Sequence, residues 1–320
     1  MKQTSVIQTD GLSKSFGDVK VLKSLDLNVP PHAIFGFLGP NGAGKSTTIK
    51  LLLGLIQPTS GQGEIFGLDI VRDSLAIRHR VGYLAQHPRF YDHMTSRETL
   101  RFVARFFYTD DATIERRVAE SLELVGLTDK ADRRIKGFSG GEMQRLGIAQ
   151  AQINQPELLI LDEPASALDP MGREQVLAIM ETLREQATIF YSTHILDDVQ
   201  RVSDQVAILN RGQLIAQGPI ENLLAGGDGI IYKIETRGTS PTLEDRLDAQ
   251  PWVTHISTSQ NDGKIRWRVA VTDDAAAEAD LLRLILADKG ARVLSYGREK
   301  LELEQVFIQM VNGDNHNDNE

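Results

Sequence analysis

The sequence predicts an α/β fold with a buried parallel sheet, and three short segments carry that prediction. An apolar run at 32–38 leads into a glycine-rich loop and then into an apolar helical run at 47–56. Strand, glycine loop and helix in this order are the setting of a phosphate-binding loop. Two further apolar runs, 158–161 and 187–191, have the character of buried strands. Because ligands gather at the carboxyl ends of parallel strands, we expect the polar residues after these runs to share one site.

The loop between the first strand and helix matches the pattern G-x-x-x-x-G-K-[ST]. Its glycines allow a tight turn that brings backbone N–H groups onto a bound phosphate. The helix that begins near Gly44 directs its positive end at the same phosphate. Lys45 reaches the β- and γ-phosphates of ATP, and the hydroxyl of Ser46 suits Mg²⁺, which prefers oxygen ligands. A glycine-rich turn with a chance lysine is the alternative, but it does not account for the motifs that follow. The predicted phosphate-binding residues are Gly39, Pro40, Asn41, Gly42, Ala43, Gly44, Lys45, Ser46 and Thr47.

Two acidic residues end the apolar run at 158–161. Asp162 is expected beside the glycine loop, where it holds Mg²⁺ directly or through water. Glu163 follows, where it orients and deprotonates the attacking water. Two solvated acids that cap a strand are the alternative, and we would favour it for an Asp-Glu pair alone. The pair predicts ATP hydrolysis only because the chain also carries the glycine loop at 39–47.

Two further polar residues follow other strand-like runs. His194 comes after the run at 187–191, where an imidazole can hydrogen-bond the γ-phosphate. Gln86 comes after residues 81–85, and its amide can meet both metal and water. A lone histidine is more often structural than catalytic, and Gln86 alone carries almost no weight. With Lys45 and Glu163 beside them, we predict that both act in catalysis.

A second glycine-rich segment, Ser139-Gly140-Gly141, precedes a helical stretch that begins at Glu142. A serine and two glycines before a helix form an N-terminal anion site. An ordinary capped helix without a ligand is the alternative. Since the loop at 39–47 already binds one set of phosphates, a second anion site suggests the nucleotide of a second molecule.

Taken in order, these segments resemble the nucleotide-binding subunit of an ABC (ATP-binding cassette) transporter over about residues 5–224. The loop at 39–47 resembles the Walker A motif of that family, and residues 158–163 resemble its Walker B motif. Gln86 matches the Q-loop, and His194 matches the switch histidine. Order and spacing make this resemblance specific.

Three further segments carry the same resemblance. Residues 138–142 resemble the family signature Leu-Ser-Gly-Gly-Gln, with Phe and Glu at the two ends. Residues 166–169 resemble the D-loop, and Phe16 matches the aromatic position that stacks on adenine. The resemblance thereby adds seven nucleotide-binding residues to those of the glycine loop: Phe16, Gln86, Ser139, Gly140, Gly141, Glu142 and Asp169.

The resemblance also implies an architecture and partners. The fold would be a P-loop NTPase with a β-rich N-terminal part and a helical subdomain at about 87–156. ATP and Mg²⁺ would be the cofactors, with Ser46, Gln86 and Asp162 at the metal. Two such subunits would form a head-to-tail homodimer or heterodimer, with each ATP between the glycine loop of one and residues 139–141 of the other.

A multi-span membrane permease is the further partner that the resemblance implies. The transporter would be an exporter, and this subunit would be cytoplasmic and peripheral on the inner face of the cell membrane. A soluble ABC ATPase that acts on ribosomes or DNA is one alternative, but that class usually carries two cassettes or long inserts. An ATP-dependent regulatory module is another, although a pure sensor needs no base such as Glu163.

The composition excludes several kinds of partner and site. The net charge of −9 argues against a nucleic-acid surface, which is usually basic. The absence of cysteine excludes disulfides and thiolate metal sites. The first residues lack the apolar core of a signal peptide, and stretches such as 49–56 are far shorter than the roughly 18 residues of a membrane span. We therefore expect any membrane role to come through a partner.

The segment after Gln86 changes to a helical pattern. Residues 97–107 and 114–125 carry apolar side chains at helical spacing, and Thr95 is a plausible helix start. The aromatic pair Phe90-Tyr91 either packs into the core of this subdomain or, by resemblance, lines a groove that receives a cytoplasmic helix of a membrane subunit.

A second domain is predicted after the glycine-rich segment 225–229, which we interpret as a linker. Residues 230–311 predict the order βαββαβ and a last helix at 303–311, which together indicate a small α+β ferredoxin-like domain. This domain resembles the C-terminal appendage of some drug-exporter subunits and carries none of the ATP motifs, so we expect a partner-binding or regulatory role. Residues 312–320 are polar and acidic and are predicted to be disordered.

Overall fold

The computed structural model describes residues 5–224, 230–238, 242–288 and 290–298. The chain divides into two compact units, residues 1–220 and 221–320. The predicted linker at 225–229, the predicted helix at 303–311 and the predicted disordered tail lie outside the described residues. Across the residues described, no helix combines the length and the apolar composition that crossing a bilayer requires.

Among the described residues, the first unit contains eleven strands and seven helices, and an eighth helix begins at its last residue. Two single 3₁₀ turns, Thr128–Lys130 and Ile135–Gly137, lie between the helices Asp111–Leu124 and Gly140–Gln152. The elements are, in chain order, β1 (Ile7–Phe16), β2 (Val19–Leu25), β3 (Asn28–Val29), β4 (Ile34–Leu38), α1 (Lys45–Leu52), β5 (Ser60–Ile65), β6 (Leu68–Asp69), α2 (Ser74–Arg80), β7 (Val81–Leu84), α3 (Ser96–Ala104), α4 (Asp111–Leu124), α5 (Gly140–Gln152), β8 (Leu158–Asp162), α6 (Pro170–Leu183), β9 (Thr188–Thr193), α7 (Leu196–Val202), β10 (Gln205–Asn210), β11 (Gln213–Pro219) and α8 (Ile220–Leu224).

The central sheet of this unit has the strand order β11-β10-β4-β9-β8-β7. Strands β10, β4, β9, β8 and β7 are parallel, and β11 adds an antiparallel edge. Every residue of β4, β8 and β9 is buried, which explains why these strands have near-continuous apolar sequences. Phe35 and Phe190 stack inside the sheet with ring centroids 5.8 Å apart. The predicted α/β class is confirmed, and the carboxyl ends of β4, β8 and β9 point to one edge.

An antiparallel sheet forms the β-rich N-terminal part. Its strands run in the order β2-β1-β5-β6, and β3 pairs with β1 beside this path. The inward side chains of β1 and β5, such as Ile7 and Ile65, join the same apolar core as β4 and α1. This sheet therefore packs against the central sheet and places the β1–β2 hairpin near the glycine loop.

The helical part lies between β7 and β8 and contains α3, α4 and α5. Thr95 begins α3 through a capping box: Thr95 Oγ1 accepts from the Glu98 backbone N–H at 3.1 Å, and a Glu98 carboxylate oxygen accepts from the Thr95 N–H at 2.8 Å. Tyr91 is 62% exposed and therefore does not pack into the subdomain core, which was one of the two alternatives for the pair Phe90-Tyr91, whereas Phe90 is half-buried. The Tyr91 ring instead lies at the surface beside His93.

Several predicted elements have different ends in the structure. The helix predicted at 47–56 is Lys45–Leu52, because Gly54 adopts φ +63°, a left-handed conformation that ends helices. The helix predicted at 97–107 is Ser96–Ala104. In the second unit, the strand Val253–Asn261 pairs with the next strand as far as the hairpin turn.

The second unit has the order βαββαβ that the sequence predicts. Its four strands are all antiparallel. They lie across the sheet in the order Val253–Asn261, Lys264–Val271, Ile230–Arg237 and Arg292–Arg298, which is the ferredoxin-like arrangement. The two helices cover one face of the sheet, where Trp267 and Leu281 form part of a separate apolar core. The elements are β12 (Ile230–Arg237), α9 (Leu243–Asp248), β13 (Val253–Asn261), β14 (Lys264–Val271), α10 (Asp274–Leu286) and β15 (Arg292–Arg298).

Candidate nucleotide site

The glycine loop connects the carboxyl end of β4 to α1, which begins at Lys45. Gly44 precedes this helix with φ +111°, a conformation that side chains other than glycine rarely adopt. At Gly39 a side chain would place Cβ only 2.3 Å from the Leu209 carbonyl oxygen, so the loop passes directly over β10. The first backbone N–H groups of α1 have no acceptor within the helix, and they are available to an anion in the loop.

Lys45 is buried under its own loop. Its Nζ donates to the carbonyl oxygens of Gly39 at 2.6 Å and Pro40 at 3.3 Å. The same ammonium lies 3.2 Å from Glu163 Oε1, and both side chains are about 95% buried, with 5% and 4% exposed. The structure therefore brings together the predicted phosphate ligand and the predicted base, which follow two different strands, β4 and β8.

Glu163 also contacts the third predicted catalytic residue. Its Oε2 lies 2.9 Å from His194 Nδ1. The backbone of Glu163 has φ +50°, and its N–H donates to Ser192 O at 3.1 Å and to Ser192 Oγ at 3.0 Å. A left-handed conformation in a residue other than glycine costs free energy, and such conformations cluster at functional sites. Lys45, Glu163 and His194 thus form one contiguous polar cluster.

Asp162 lies at the end of β8, beside the start of α1. Its Oδ1 accepts from Ser46 Oγ at 3.3 Å and from Ser192 Oγ at 2.5 Å. A hydroxyl and a carboxylate in contact are the hard oxygen donors that Mg²⁺ prefers, so the residues present fit that ion. Burial, together with the negative charge of Asp162, raises the pKa of Tyr83 on the neighbouring strand β7. Asp162 is itself buried, at 4% exposed.

Ser192 is a residue of the candidate site that the sequence reasoning missed. It joins Asp162 and Glu163, because its hydroxyl donates to one and accepts from the backbone of the other. Its position just before Thr193 and His194, at the end of an apolar strand, was the available signal. Ser192 is fully buried, so the hydroxyl fixes both acids from inside the sheet.

A cavity of about 380 Å³ lies over the glycine loop and Glu163, whereas Asp162 and His194 are not among its lining residues. Gln86 lines it from the end of β7, which agrees with the predicted position, and Val21 from β2 is a lining residue that the sequence did not predict. Phe16 is not among the lining residues; its ring is 51% exposed, with Lys14 Nζ 5.0 Å from the ring centroid. The lining residues are Val21, Pro40, Asn41, Gly42, Gly44, Lys45, Ser46, Thr47, Gln86 and Glu163.

The second predicted anion site lies in a different place. Ser139 is the N-cap of α5, and its side chain accepts from the Glu142 backbone N–H at 3.3 Å. Residues 139–142 line a separate cavity of about 420 Å³, and Asp169 lines the same cavity. Asp169 caps α6 by accepting from the Gly172 N–H at 3.0 Å. The structure therefore groups Asp169 with the signature residues and not with the glycine loop.

Glu142 is one of two acidic residues that line this second cavity, the other being Asp169. The Glu142 carboxylate accepts from the Ser139 backbone N–H at 2.7 Å and forms an ion pair with Lys130. Burial by itself would raise the pKa of Glu142, but Lys130 and the Ser139 N–H outweigh it and hold the pKa below its usual value. Glu142 is therefore ionised at neutral pH.

The fold and the loop between β4 and α1 define a P-loop nucleotide-binding protein. A model of the ABC transporter family matches residues 22–166. The bacitracin transport ATP-binding protein BcrA of Bacillus licheniformis is 35% identical over 314 residues, which cover 97% of this chain and 98% of BcrA. The daunorubicin/doxorubicin resistance ATP-binding protein DrrA of Streptomyces peucetius is 38% identical over 254 residues, covering 78% of this chain and 77% of DrrA.

A solved structure described as the ATP-binding subunit of an ABC transporter has a TM-score of 0.62 at 31% identity. The superposition covers 68% of this chain and 92% of that chain. The chain therefore belongs to the ATP-binding proteins of ABC transporters.

Proposed function

We propose that this chain hydrolyses ATP at the interface of two subunits and thereby drives export through a separate membrane permease. The observation that carries the proposal is the presence of two separate cavities in one chain. One contains the glycine loop with Lys45 and Glu163, and the other contains the signature residues 139–141. A second anion site without its own phosphate loop is explained when it serves the nucleotide of another subunit.

Phosphate binding is assigned to the glycine loop and Lys45. The Lys45 ammonium has carbonyl and carboxylate acceptors at 2.6 and 3.2 Å, which phosphate oxygens would replace as ATP enters. The N–H groups at the start of α1 supply further donors, and the helix dipole favours the negative charge. Ser46 and Asp162, with Gln86, would hold Mg²⁺, which when bound neutralises charge on the β- and γ-phosphates.

Glu163 is assigned as the general base. As the water oxygen bonds to the γ-phosphorus, a Glu163 carboxylate oxygen accepts the water proton. The bond between the γ-phosphorus and the bridging oxygen breaks, and ADP and phosphate are the products. His194, which lies 2.9 Å from Glu163, orients the carboxylate and can donate to the γ-phosphate. Ser192 holds the backbone of Glu163 from the other side.

Dimer closure is the mechanical output that we assign to ATP. Each ATP would be held by the glycine loop of one subunit and by Ser139 of the other, so binding favours the closed pair and product release favours opening. The second subunit is either another copy of this chain or a related ATP-binding chain. This arrangement accounts for the exposed position of Ser139 and Gly140.

Export is supported by the named relatives. One is a bacitracin transport protein and another a daunorubicin/doxorubicin resistance protein. The exposed Tyr91 lies after Gln86 in the segment that leads into the helical part, where it is available to a permease. We propose that this chain is peripheral on the membrane and docks on the permease through the surface around Tyr91.

Mixing two inactive variants tests the shared site. Ser139→Arg blocks the signature of one subunit, and Lys45→Ala disables the glycine loop of the other. In a mixed dimer one composite site carries both lesions and the other carries neither, so we expect ATP turnover that neither variant shows alone. The matched control mixes Ser139→Arg with the double variant Ser139→Arg/Lys45→Ala, which leaves no intact site.

The reading of this experiment requires proof that mixed dimers form. Crosslinking of differently tagged subunits supplies it. Mixed dimers without recovered turnover mean either that the site is not shared or that both sites are needed at once, and crosslinking between residues 39–47 of one subunit and residues 139–141 of the other separates these two explanations. Recovery in the control mixture would contradict the shared site, since no composite site there is intact.

A further inference from the structure

The signature of this chain carries a carboxylate in the first turn of α5. Glu142 occupies the position where the family signature has Gln, and it is only 6% exposed. Its side chain accepts from the Ser139 N–H at 2.7 Å and so remains at the start of the helix. It lines the same cavity as Ser139, Gly140 and Gly141. A fixed negative charge therefore lies where the proposed function requires the phosphates of ATP to bind.

The negative charge of Glu142 weakens phosphate binding at this site in two ways. A carboxylate in the first turn already uses part of the positive potential of the helix N-terminus. It also repels the phosphates, because like charges in a partly buried site interact more strongly than in water. The Gln of the family signature accepts the same backbone hydrogen bond without this cost. The substitution therefore needs a compensating cation.

Lys130 supplies that cation. It belongs to the 3₁₀ turn Thr128–Lys130, and its ammonium contacts the Glu142 carboxylate. Lys130 lines the signature cavity, and its side chain is less than half exposed, at 43%. Arg133 is a second, weaker source of positive potential for the same carboxylate. Lys130 comes from outside the signature, so the pair joins two separate segments of the helical part.

We propose that Lys130 is a positioning residue that neutralises Glu142, so that the start of α5 accepts the phosphates of ATP bound to the opposite subunit. The proposal rests on the proposed function, because it assumes that the signature acts on the nucleotide of another chain. It assigns a role to a residue outside every family motif of this chain. It also explains how an acidic signature remains compatible with phosphate binding.

The experiment uses the full chain with Glu163→Gln as the parent, so that ATP is retained. The ATP concentration that gives half-maximal dimer is measured by size-exclusion chromatography with light scattering. Lys130→Ala should raise this concentration by about tenfold, since the carboxylate is left without its nearest cation. Adding Glu142→Gln to Lys130→Ala should return it to within about threefold of the parent, because the charge that needed neutralising is gone.

Three controls make the result specific. Lys136→Ala removes an exposed lysine of the same subdomain that does not line the cavity, and it should leave the concentration unchanged. Lys130→Arg should retain dimer formation near the parent value, because it keeps the positive charge. Thermal unfolding and binding of a fluorescent ATP analogue to the glycine loop show that each variant is folded.

The outcomes separate the two levels of the proposal. A defect in Lys130→Ala that Glu142→Gln relieves supports charge compensation. A Lys130→Ala variant that dimerises like the parent overturns it, and so does a defect that Glu142→Gln leaves in place. A parent that forms no ATP-dependent dimer with itself or with a related chain overturns the proposed function and this inference together.

Discussion

Oε1 of Glu163 lies 3.2 Å from Nζ of Lys45, and both side chains are buried. These residues belong to different motifs, one at the end of β8 and the other at the start of α1. Removing one partner of a buried ion pair leaves the other charge uncompensated, which destabilises a protein more than losing a surface pair. The residues that we propose as general base and phosphate ligand therefore compensate each other's charge.

Glu163→Gln is expected to reduce ATP turnover by roughly 10²- to 10⁴-fold, because the amide keeps the shape but cannot accept the proton. ATP binding should survive, and an ATP-dependent dimer should accumulate. Steady-state turnover and the mass of the eluting species with ATP are the measurements. Glu157→Gln is the matched control, since Glu157 lies just before β8 at the opposite end and pairs with Arg80. Turnover of Glu163→Gln equal to that of the unmodified chain would contradict the assignment.

Ser192→Ala should raise the Mg²⁺ concentration needed for half-maximal turnover by roughly 10- to 100-fold, the range for residues that orient metal ligands. The reason is that Asp162 loses a 2.5 Å hydrogen bond and is less well fixed toward Ser46. Titration of turnover with Mg²⁺ at constant ATP is the measurement.

Tyr191→Phe is the control for that variant. Tyr191 lies next to Ser192 on β9, and its hydroxyl makes a buried 2.8 Å hydrogen bond to Ser203, which follows α7. The variant removes that bond and leaves both acids' hydrogen bonds to Ser192 in place. It should lower the free energy of unfolding by about 1 kcal/mol and leave the Mg²⁺ requirement unchanged. If Ser192→Ala, like this control, lowers the free energy of unfolding and leaves the Mg²⁺ requirement unchanged, Ser192 has only a structural role.

Phe16→Ala should weaken ATP binding by roughly 1–3 kcal/mol, the range for loss of a stacked aromatic ring. Phe16 ends β1 with its ring half exposed, which leaves a face available to adenine. Fluorescence titration with an ATP analogue measures the affinity. Phe16→Trp should retain it, and Val19→Ala, an exposed apolar residue of the same hairpin, should be neutral. Equal ATP affinity for Phe16→Ala and the unmodified chain would remove Phe16 from the site.

A chain that ends at Leu224 should remain folded and bind ATP with the affinity of the full chain. All residues assigned to ATP lie in the first unit, and the second unit has a separate apolar core. The expected loss is in dimer stability or in coupling to the permease. Circular dichroism, ATP affinity and dimer mass are the measurements. A truncated chain that is folded but no longer binds ATP would show that the second unit takes part in the nucleotide site.

The sequence correctly indicated which segments come together where a motif lies within a few consecutive residues. The loop at 39–47 and the pair Asp162-Glu163 show their chemistry in their own order, and the structure places them at one edge of the sheet. Helix starts were also predictable, because a capping box such as Thr95 with Glu98 is local. Helix ends were less so, since the left-handed conformation of Gly54 is set partly by contacts with α2.

By itself, the sequence determined the order of the motifs, the α/β class and the βαββαβ order of the second unit, because local propensity and short patterns set these. Only the tertiary structure decided which distant groups meet. Ser192 reaches Asp162 because β9 lies beside β8, and Lys130 reaches Glu142 because a 3₁₀ turn passes the start of α5. The separation of the two cavities is likewise a result of packing. Such contacts depend on how strands and helices pack across the chain, and no short stretch of sequence encodes that packing.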